Sequence, residues 1–432
     1  MEKNNKKLVN AWAMYDWANS VYPLVITSTI FPIYYESVTK NDVSDKVYFL
    51  GMSFVNTALY SYALSFAFLI IAFFSPLLSA IADYSGNKKK FMQFFCYLGA
   101  ISCSSLFFFD SDSLWIGILA FMFATIGFSG SIVFYNAYLP EIASPDRQDR
   151  VSAKGFSLGY IGSSLLLIFN LTMVMNPAWY GLSESTMPAK ISFLLVGLWW
   201  AGFAQIPFRY LPDGISKNKS DKNIFSHGYL ELMKVWKELK HQPPLKKFLV
   251  SFFIYNMAVQ TVMNVAALFG SKELKLESGQ LIITVLIIQF VAIAGAYLFS
   301  RLSGTFGNVK ALSIAIFFWI GICIGAYFVY SAIQFYMVAF CVGMVMGGIQ
   351  SLSRSTYSKM LPETENHASY FSFYDVCDKL GYFFGILTFG VIEELTGTMR
   401  NSLLALILFF TLGLIMLFRV KDNKISPLNS VK

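Results

Sequence analysis

Apolar runs of about 19 residues, the length that spans a bilayer as a helix, recur along almost the whole chain and are separated by short polar segments. They predict about twelve spans. Six run near Trp12 to Tyr35, Leu59 to Ile81, Phe91 to Phe109, Leu114 to Tyr138, Phe156 to Met175 and Ile191 to Tyr210. The others run near Phe248 to Phe269, Leu281 to Phe299, Ala311 to Tyr330, Phe335 to Tyr357, Tyr370 to Ile392 and Leu403 to Phe418. These runs are too long and too weakly alternating for barrel strands, and a backbone without water must bond internally, so each reads as an α-helix. Between the two sets, Ser216 to Asn223 is polar and reads as a linker. After it, Tyr229, Leu232, Met233, Trp236 and Leu239 recur at helical spacing opposite Glu231, Lys234, Lys237, Glu238 and Lys240, and Pro243-Pro244 follows. That pattern predicts a short amphipathic helix lying on the inner membrane surface.

The pattern repeats once. Leu139-Pro140-Glu141 returns as Leu361-Pro362-Glu363 and Gly159-Tyr160 as Gly381-Tyr382, each 222 positions later, and Gly86-Asn87 returns as Gly307-Asn308 after 221. One constant spacing through an apolar chain predicts an all-α integral membrane protein of two parallel six-helix repeats. Its divisions are a first bundle at 1–212, a linker at 213–246 and a second bundle at 247–432. Such duplicated bundles belong mainly to secondary transporters, whose halves rock about a site near the midplane.

Composition agrees, with 56% hydrophobic, 17% aromatic and 13% charged residues. The net charge of +8 does not point to nucleic acid, because the basic residues punctuate apolar windows instead of gathering on one soluble face. With the N-terminus inside, most of the 33 Lys and Arg fall in inner segments, and the outer segments hold only Lys40, Lys46, Lys190, Lys272, Lys275 and Arg400. That bias places both termini in the cytoplasm. The first apolar stretch, interrupted by Asp16 and as long as a full span, reads as a retained helix and not a cleaved signal. No Gly-rich Lys-Ser/Thr loop for ATP phosphates is present, and neither the five cysteines nor His227, His241 and His367 have metal-ligand spacing. The expectation is therefore no enzyme, no cofactor and no metal.

The stretch Ser79-Ala80-Ile81-Ala82-Asp83-Tyr84-Ser85-Gly86-Asn87-Lys88-Lys89-Lys90 resembles the signature loop of the major facilitator superfamily. In physical terms Gly86 permits a tight turn, Asp83 can cap or pair at a helix end, and Lys88 and its neighbours hold the loop inside. Ser79 stands where the family usually has glycine, and Gly304 replaces the acid in the second half, so a charge latch built on Asp83 is expected on one side only. Tyr15-Asp16-Trp17-Ala18-Asn19-Ser20, Gly347-Gly348-Ile349-Gln350-Ser351-Leu352-Ser353-Arg354-Ser355, Phe371-Ser372-Phe373-Tyr374 and Lys379 carry a nearer likeness. With them the chain resembles the vacuole-effluxer branch of that superfamily over nearly its whole length. The resemblance implies amino-acid export as the activity, and the expected setting is a multi-pass monomer in a bacterial inner (cell) membrane. One departure bears on ion coupling: Tyr255-Asn256-Met257-Ala258 stands where the family usually reads Tyr-Asn-Asp-Gly.

Charges inside spans are costly in lipid and mark candidate chemistry. Asp16, near Asn19 and Ser20, either binds a substrate ammonium or a proton or braces the first helix. In the eleventh span Asp375 and Lys379 stand four apart with the acid first, the better order for a pair within one helix, and this pair reads equally as structural or as part of transport. Asp378 lacks a local partner in that reading, and Arg354 one span earlier is its natural counter-ion. Asn256, Gln260 and Asn264 put three amides on one face of the seventh span, where they hydrogen-bond a polar solute or neighbouring helices. The resemblance favours the first, because in that superfamily the first, fourth, seventh and tenth spans line the cavity, which adds Gln350, Tyr135 and Asn136. Glu141 and Glu363, each following a helix-ending Pro, read as caps.

These residues predict a carrier of a small polar or zwitterionic solute by alternating access. Arg354 and Lys379 would meet a carboxylate, Asp16 or Asp378 an ammonium, and protons and membrane lipids would be the other partners. Two further classes stay open: a lipid or drug exporter with an apolar cavity open to the bilayer, and a membrane receptor or scaffold that would tolerate Asp16→Asn and Arg354→Gln.

Overall fold

In the computed structural model, which describes residues 2–40, 46–182, 186–214 and 224–420, the chain is a bundle of long helices. The first half holds α1 (Lys6–Asn19), α2 (Ile30–Thr39), α3 (Asn56–Ser85), α4 (Lys88–Ser105), α5 (Leu114–Asn136), the single turn α6 (Leu139–Ile142), α7 (Gln148–Met175) and α8 (Met187–Tyr210). The linker helix α9 (Ile224–Lys240) follows. The second half holds α10 (Pro243–Leu274), α11 (Ser278–Phe306), α12 (Asn308–Tyr327), α13 (Ala332–Met360), α14 (His367–Thr396) and α15 (Met399–Leu417). The end of the bundle where α9 lies is called the linker end below.

Ten of the described helical segments are long and apolar enough to cross a membrane, against about twelve spans expected. The two that differ do so for physical reasons. The first span is broken: α1 stops at Asn19, a wide π-type turn covers Tyr22–Thr27, and α2 resumes at Ile30. Pro23 has no N–H to donate to the preceding turn, and where the π-type turn ends Ser28 Oγ donates to the Pro23 carbonyl at 2.8 Å and Thr29 Oγ1 to the Leu24 carbonyl. The other is α14, which carries Asp375, Asp378 and Lys379 midway and Glu393 and Glu394 near its end. A short hairpin not expected from the apolar pattern closes the far end, β1 (Lys46–Phe49) with β2 (Met52–Val55), joined through Leu50 and Gly51 at φ 51° and 79°.

The repeated motifs occupy matching places. Gly159-Tyr160 lies on α7 where α1 crosses it, and a Cβ at Gly159 would run into Ser20 Oγ. Gly381-Tyr382 lies on α14 beside Phe253 and Asn256 of α10. Leu-Pro-Glu follows α5 in one half and α13 in the other. Across the seam, α3 packs on α14, and α7 packs on α11 and α13.

The linker helix differs from its expected pose. Gly228, Val235 and Leu239 face inward, Gly228 against Ile81 of α3, and the Tyr84 ring stacks on His227 at 5.1 Å. Glu231 accepts from Asn366, and Glu238 Oε2 accepts from Tyr370 Oη at 2.9 Å. Met233 and Trp236 remain exposed as expected, beside Tyr229 and Leu230. The helix is thus docked on one half and bonded to the other, because its buried stripe runs through Val235 instead of Met233. The polar stretch 216–223 lies outside the described residues.

Helices α11 and α13 meet so closely that a Cβ on Gly347 would overlap the Ala292 carbonyl, whereas a Cβ on Gly321 of α12 would meet nothing within 4 Å. Gly347→Ala is expected to destabilise by about 1–3 kcal/mol through overpacking. Gly321→Ala is expected to be neutral or stabilising by up to ~1 kcal/mol, since alanine is the better helix former. Thermal unfolding in detergent checks the opposite signs.

Candidate functional site

Arg354 sits on α13, and its guanidinium crosses the seam into the first half. Nε donates to Ser152 Oγ at 2.9 Å, Nη1 to Asp16 Oδ2 at 3.2 Å and Asn136 Oδ1 at 3.4 Å, and Nη2 to Asp16 Oδ2 at 3.2 Å and the Ser152 carbonyl at 2.9 Å. These contacts use all five guanidinium hydrogens. Trp12, Tyr135 and Phe156 surround it, with the Phe156 ring centre 4.1 Å away. Tyr135 Oη also donates to Asp16 Oδ2 at 2.7 Å, and Trp12 Nε1 to the Tyr135 carbonyl at 2.9 Å. Gly155 on α7 makes the room, because a Cβ there would collide with Asp16 Oδ2. The partner of Arg354 is therefore Asp16 and not Asp378 as the sequence suggested.

Asp378 has a partner on its own helix after all. Lys379 Nζ lies 2.7 Å from Asp378 Oδ2 and 3.4 Å from Asp375 Oδ1, so the expected pair four apart forms but is the longer of two contacts. Adjacent side chains on a helix do not ordinarily face one another, and only the long lysine stem lets Nζ fold back. Asp378 Oδ1 accepts from Asn256 Nδ2 at 2.9 Å and Gln260 Nε2 at 2.7 Å. Asn264, the third amide, donates to the Gln260 carbonyl at 2.8 Å and accepts from Tyr382 Oη at 3.1 Å. The amide stripe thus holds Asp378 in place. Asp375 Oδ2 and Asn19 Nδ2 are buried with no hydrogen-bond partner among the described residues.

Asp16, Asn19, Asn136, Asn256, Gln260, Asn264, Gln350, Arg354, Asp375, Asp378 and Lys379 all border one cavity of about 330 Å³ between the halves. Gln350 accepts there from Tyr160 Oη at 2.6 Å, a bond between the halves. Sequence reasoning missed the aromatic share of the lining, including Phe68, Phe128, Phe252 and Tyr374, and it missed Gln289. Aromatic residues are so common in this chain that nothing in the sequence separates a cavity ring from a lipid-facing one.

Asp83, Gly86 and Lys88 lie apart from the cavity, at the linker end. Gly86 takes φ 66° to end α3, and Asp83 accepts from the Ser369 N–H and Oγ at 2.7 Å each and from the Ala368 N–H at 3.3 Å, capping α14 of the other half. Lys88 bonds Glu141, and His367 Nδ1 lies 2.9 Å from Glu141 Oε1, so Glu141 is a bridge between halves and not a local cap. Glu363, its counterpart, is exposed. The expected one-sidedness of the latch is also corrected. Although Gly304 carries no acid, Asp149 of α7 accepts from Ser303 Oγ at 2.7 Å, Asn308 Nδ2 at 2.8 Å and Lys359 Nζ at 2.6 Å. The second latch takes its acid from the opposite half.

Removing the guanidinium leaves Asp16 buried beside a tyrosine and no cation. Arg354→Gln is expected to cost about 3–5 kcal/mol, as for a broken buried pair, and Asp16→Asn combined with Arg354→Gln to recover most of it. A double-mutant cycle of unfolding in detergent measures the coupling.

Known proteins share this sequence and architecture. The family model for the Atg22-like vacuole effluxers matches residues 4–426. An uncharacterised MFS-type transporter of Bacillus subtilis, YxiO, is 32% identical over 98% of this chain and 97% of its own. Autophagy-related protein 22 of Kluyveromyces lactis is 26% identical over 95% of this chain and 92% of its own. Among solved structures, the major facilitator transporter FucP in its outward conformation superposes with a TM-score of 0.69 at 12% identity, covering 96% of this chain and 98% of that one. The human organic anion transporter MFSD10 superposes with a TM-score of 0.71 at 12% identity, covering 96% and 100%. The chain belongs to the Atg22-like vacuole effluxer family, its fold is the two six-helix halves of the major facilitator superfamily, and it is a multi-pass membrane transporter and not an enzyme.

Proposed function

We propose that this transporter carries a small polar or zwitterionic solute, with an amino acid as the working case, by rocking its halves about the cavity between them. The carrying observation is that the cavity is bordered by ionised side chains while Arg354 pins the linker end shut from inside. A static receptor would gain nothing from a buried cation whose every partner lies across the seam. In a carrier such a contact is the bond that must break for the cavity to face the other way. The latches at Asp83, Glu141 and Asp149 belong to the same closed arrangement, so opening the linker end releases Arg354 and all three together.

The acids bordering the cavity are what favours proton coupling in this reading, since neutralising a buried carboxylate loosens the pairs it makes and ties protonation to opening. The linker end is read as cytoplasmic from the distribution of Lys and Arg, in a bacterial cell membrane, with the monomer as the working unit. The divisions at 212 and 246 follow the same reading, with α9 as a strap between the bundles.

Proteoliposomes loaded in turn with labelled amino acids, with and without an imposed pH gradient, test this directly. The expected result is uptake or release of at least one amino acid driven by the gradient. Asp16→Asn and Arg354→Gln are each expected to lower it about tenfold or more, the equivalent of ~1.4 kcal/mol in the opening step. Flux indifferent to the gradient removes the coupling, no flux for any amino acid removes the substrate, and full activity in both variants removes the gate.

A further inference from the structure

We infer that Asp375 is the anchor for a positively charged amino group, and that the cavity admits cationic amines and zwitterions but rejects simple carboxylates. This rests on the carrier reading above and adds to it the group that is recognised. The ionisable side chains bordering the cavity are Asp16, Asp375, Asp378, Arg354 and Lys379, three acids against two bases. With all five charged, the cavity holds one negative charge in excess.

Neither base is free. The Arg354 guanidinium spends all its hydrogens on Ser152, Asp16 and Asn136. Lys379 lies between Asp375 and Asp378, so a carboxylate approaching its ammonium would stand beside two acids. Like charges at that spacing repel, and the low dielectric of a membrane protein interior strengthens the repulsion.

Nor are the acids equivalent. Asp16 is paired with the Arg354 guanidinium, its Oδ2 taking donors from Tyr135 and Arg354 while Oδ1 accepts from none of the described residues, and both oxygens of Asp378 are occupied, Oδ1 by the two amides and Oδ2 by Lys379. Asp375 offers one oxygen to Lys379 and leaves Oδ2 without a partner among the described residues, although the residue is only 4% exposed. An ionised oxygen buried without a donor is unstable until something supplies one. An ammonium supplies both the donor and the missing charge.

The surroundings suit an amine with an apolar body. Tyr374, the residue before Asp375, stacks on Phe252 at 4.2 Å, and Phe68 meets Tyr382 edge-on at 4.7 Å, and all four border the cavity. Aromatic faces attract cations and accept apolar groups, whereas they give a carboxylate nothing. Asp375 and Asp378 of α14 are the acids of the second half among the described residues that border the cavity.

Three probes with one aromatic body separate the possibilities: 2-phenylethylamine, phenylalanine and 3-phenylpropanoate, titrated into the purified full-length protein in detergent by calorimetry. The amine and the amino acid are expected to bind, and the carboxylate to bind at least tenfold more weakly. Asp375→Asn should weaken the amine at least tenfold, while Asp375→Glu, which keeps the charge, should retain most of its binding. Monodisperse elution and an unchanged helical spectrum show whether each variant is folded. Equal or tighter binding of the carboxylate, undiminished amine binding by folded Asp375→Asn, or no amine binding to the unaltered protein overturns the inference. The same probes in proteoliposomes keep the two readings apart. Flux of the carboxylate alone would leave the carrier standing and remove the amine site, and amine binding without flux of any probe would do the reverse.

Discussion

A guanidinium cannot be left bare in the interior of a membrane bundle, and Arg354 finds every one of its partners on the far side of the seam between the halves. That constraint organises the site. Asp16 must stand on α1 at its level, Tyr135 and Asn136 must end α5 beside it, and Gly155 must leave a gap in α7 for the carboxylate and the guanidinium together. The same bond that satisfies the charge also holds the halves closed at the linker end. A structure in which those halves separate must offer Arg354 water or another acid, so the pair is a natural place for the two states to differ.

Around this pin the linker end is tied by crossed latches. Asp83 of the first half caps α14 of the second, and Asp149 of the first half seizes Ser303, Asn308 and Lys359 of the second. Duplication explains the matching positions, with Asn308 where the first half has Asn87. Divergence explains why both acids come from one half. Buried carboxylates accepting two or three hydrogen bonds are well satisfied while closed and exposed to water when open, which lets a modest input at the cavity shift the balance.

The twelve-fold apolar pattern, the parallel repeat and the family likeness made the fold legible, because long spans and constant spacing are local properties of sequence. The residues of the cavity were legible too, since charged and amide side chains inside apolar spans have few other places to go. Pairing was not. Arg354 was matched with Asp378 because the two lie one span apart in sequence, whereas the real partner, Asp16, is 338 residues away on a helix in the other half. Helical geometry separates neighbouring side chains and so hides a local partner for Asp378, and the flexible lysine evades that rule. Asp149 and Lys359 were invisible as a latch, for both sit at helix ends among other soluble-looking charges. The break in the first span was foreshadowed by Pro23, Ser28 and Thr29, but the length of the apolar run concealed it.

The direct measure of the central claim is the distance across each end of the bundle in the same molecule. Spin labels on exposed Arg147 and Thr305 report the linker end, and labels on exposed Lys40 and Lys272 report the far end, in a chain freed of its native cysteines. If Arg354 pins the linker end shut, Arg354→Gln lengthens the first distance and shortens the second. Distances that stay as they are in both pairs, or that change in the same sense, would contradict a gate built on that one buried cation.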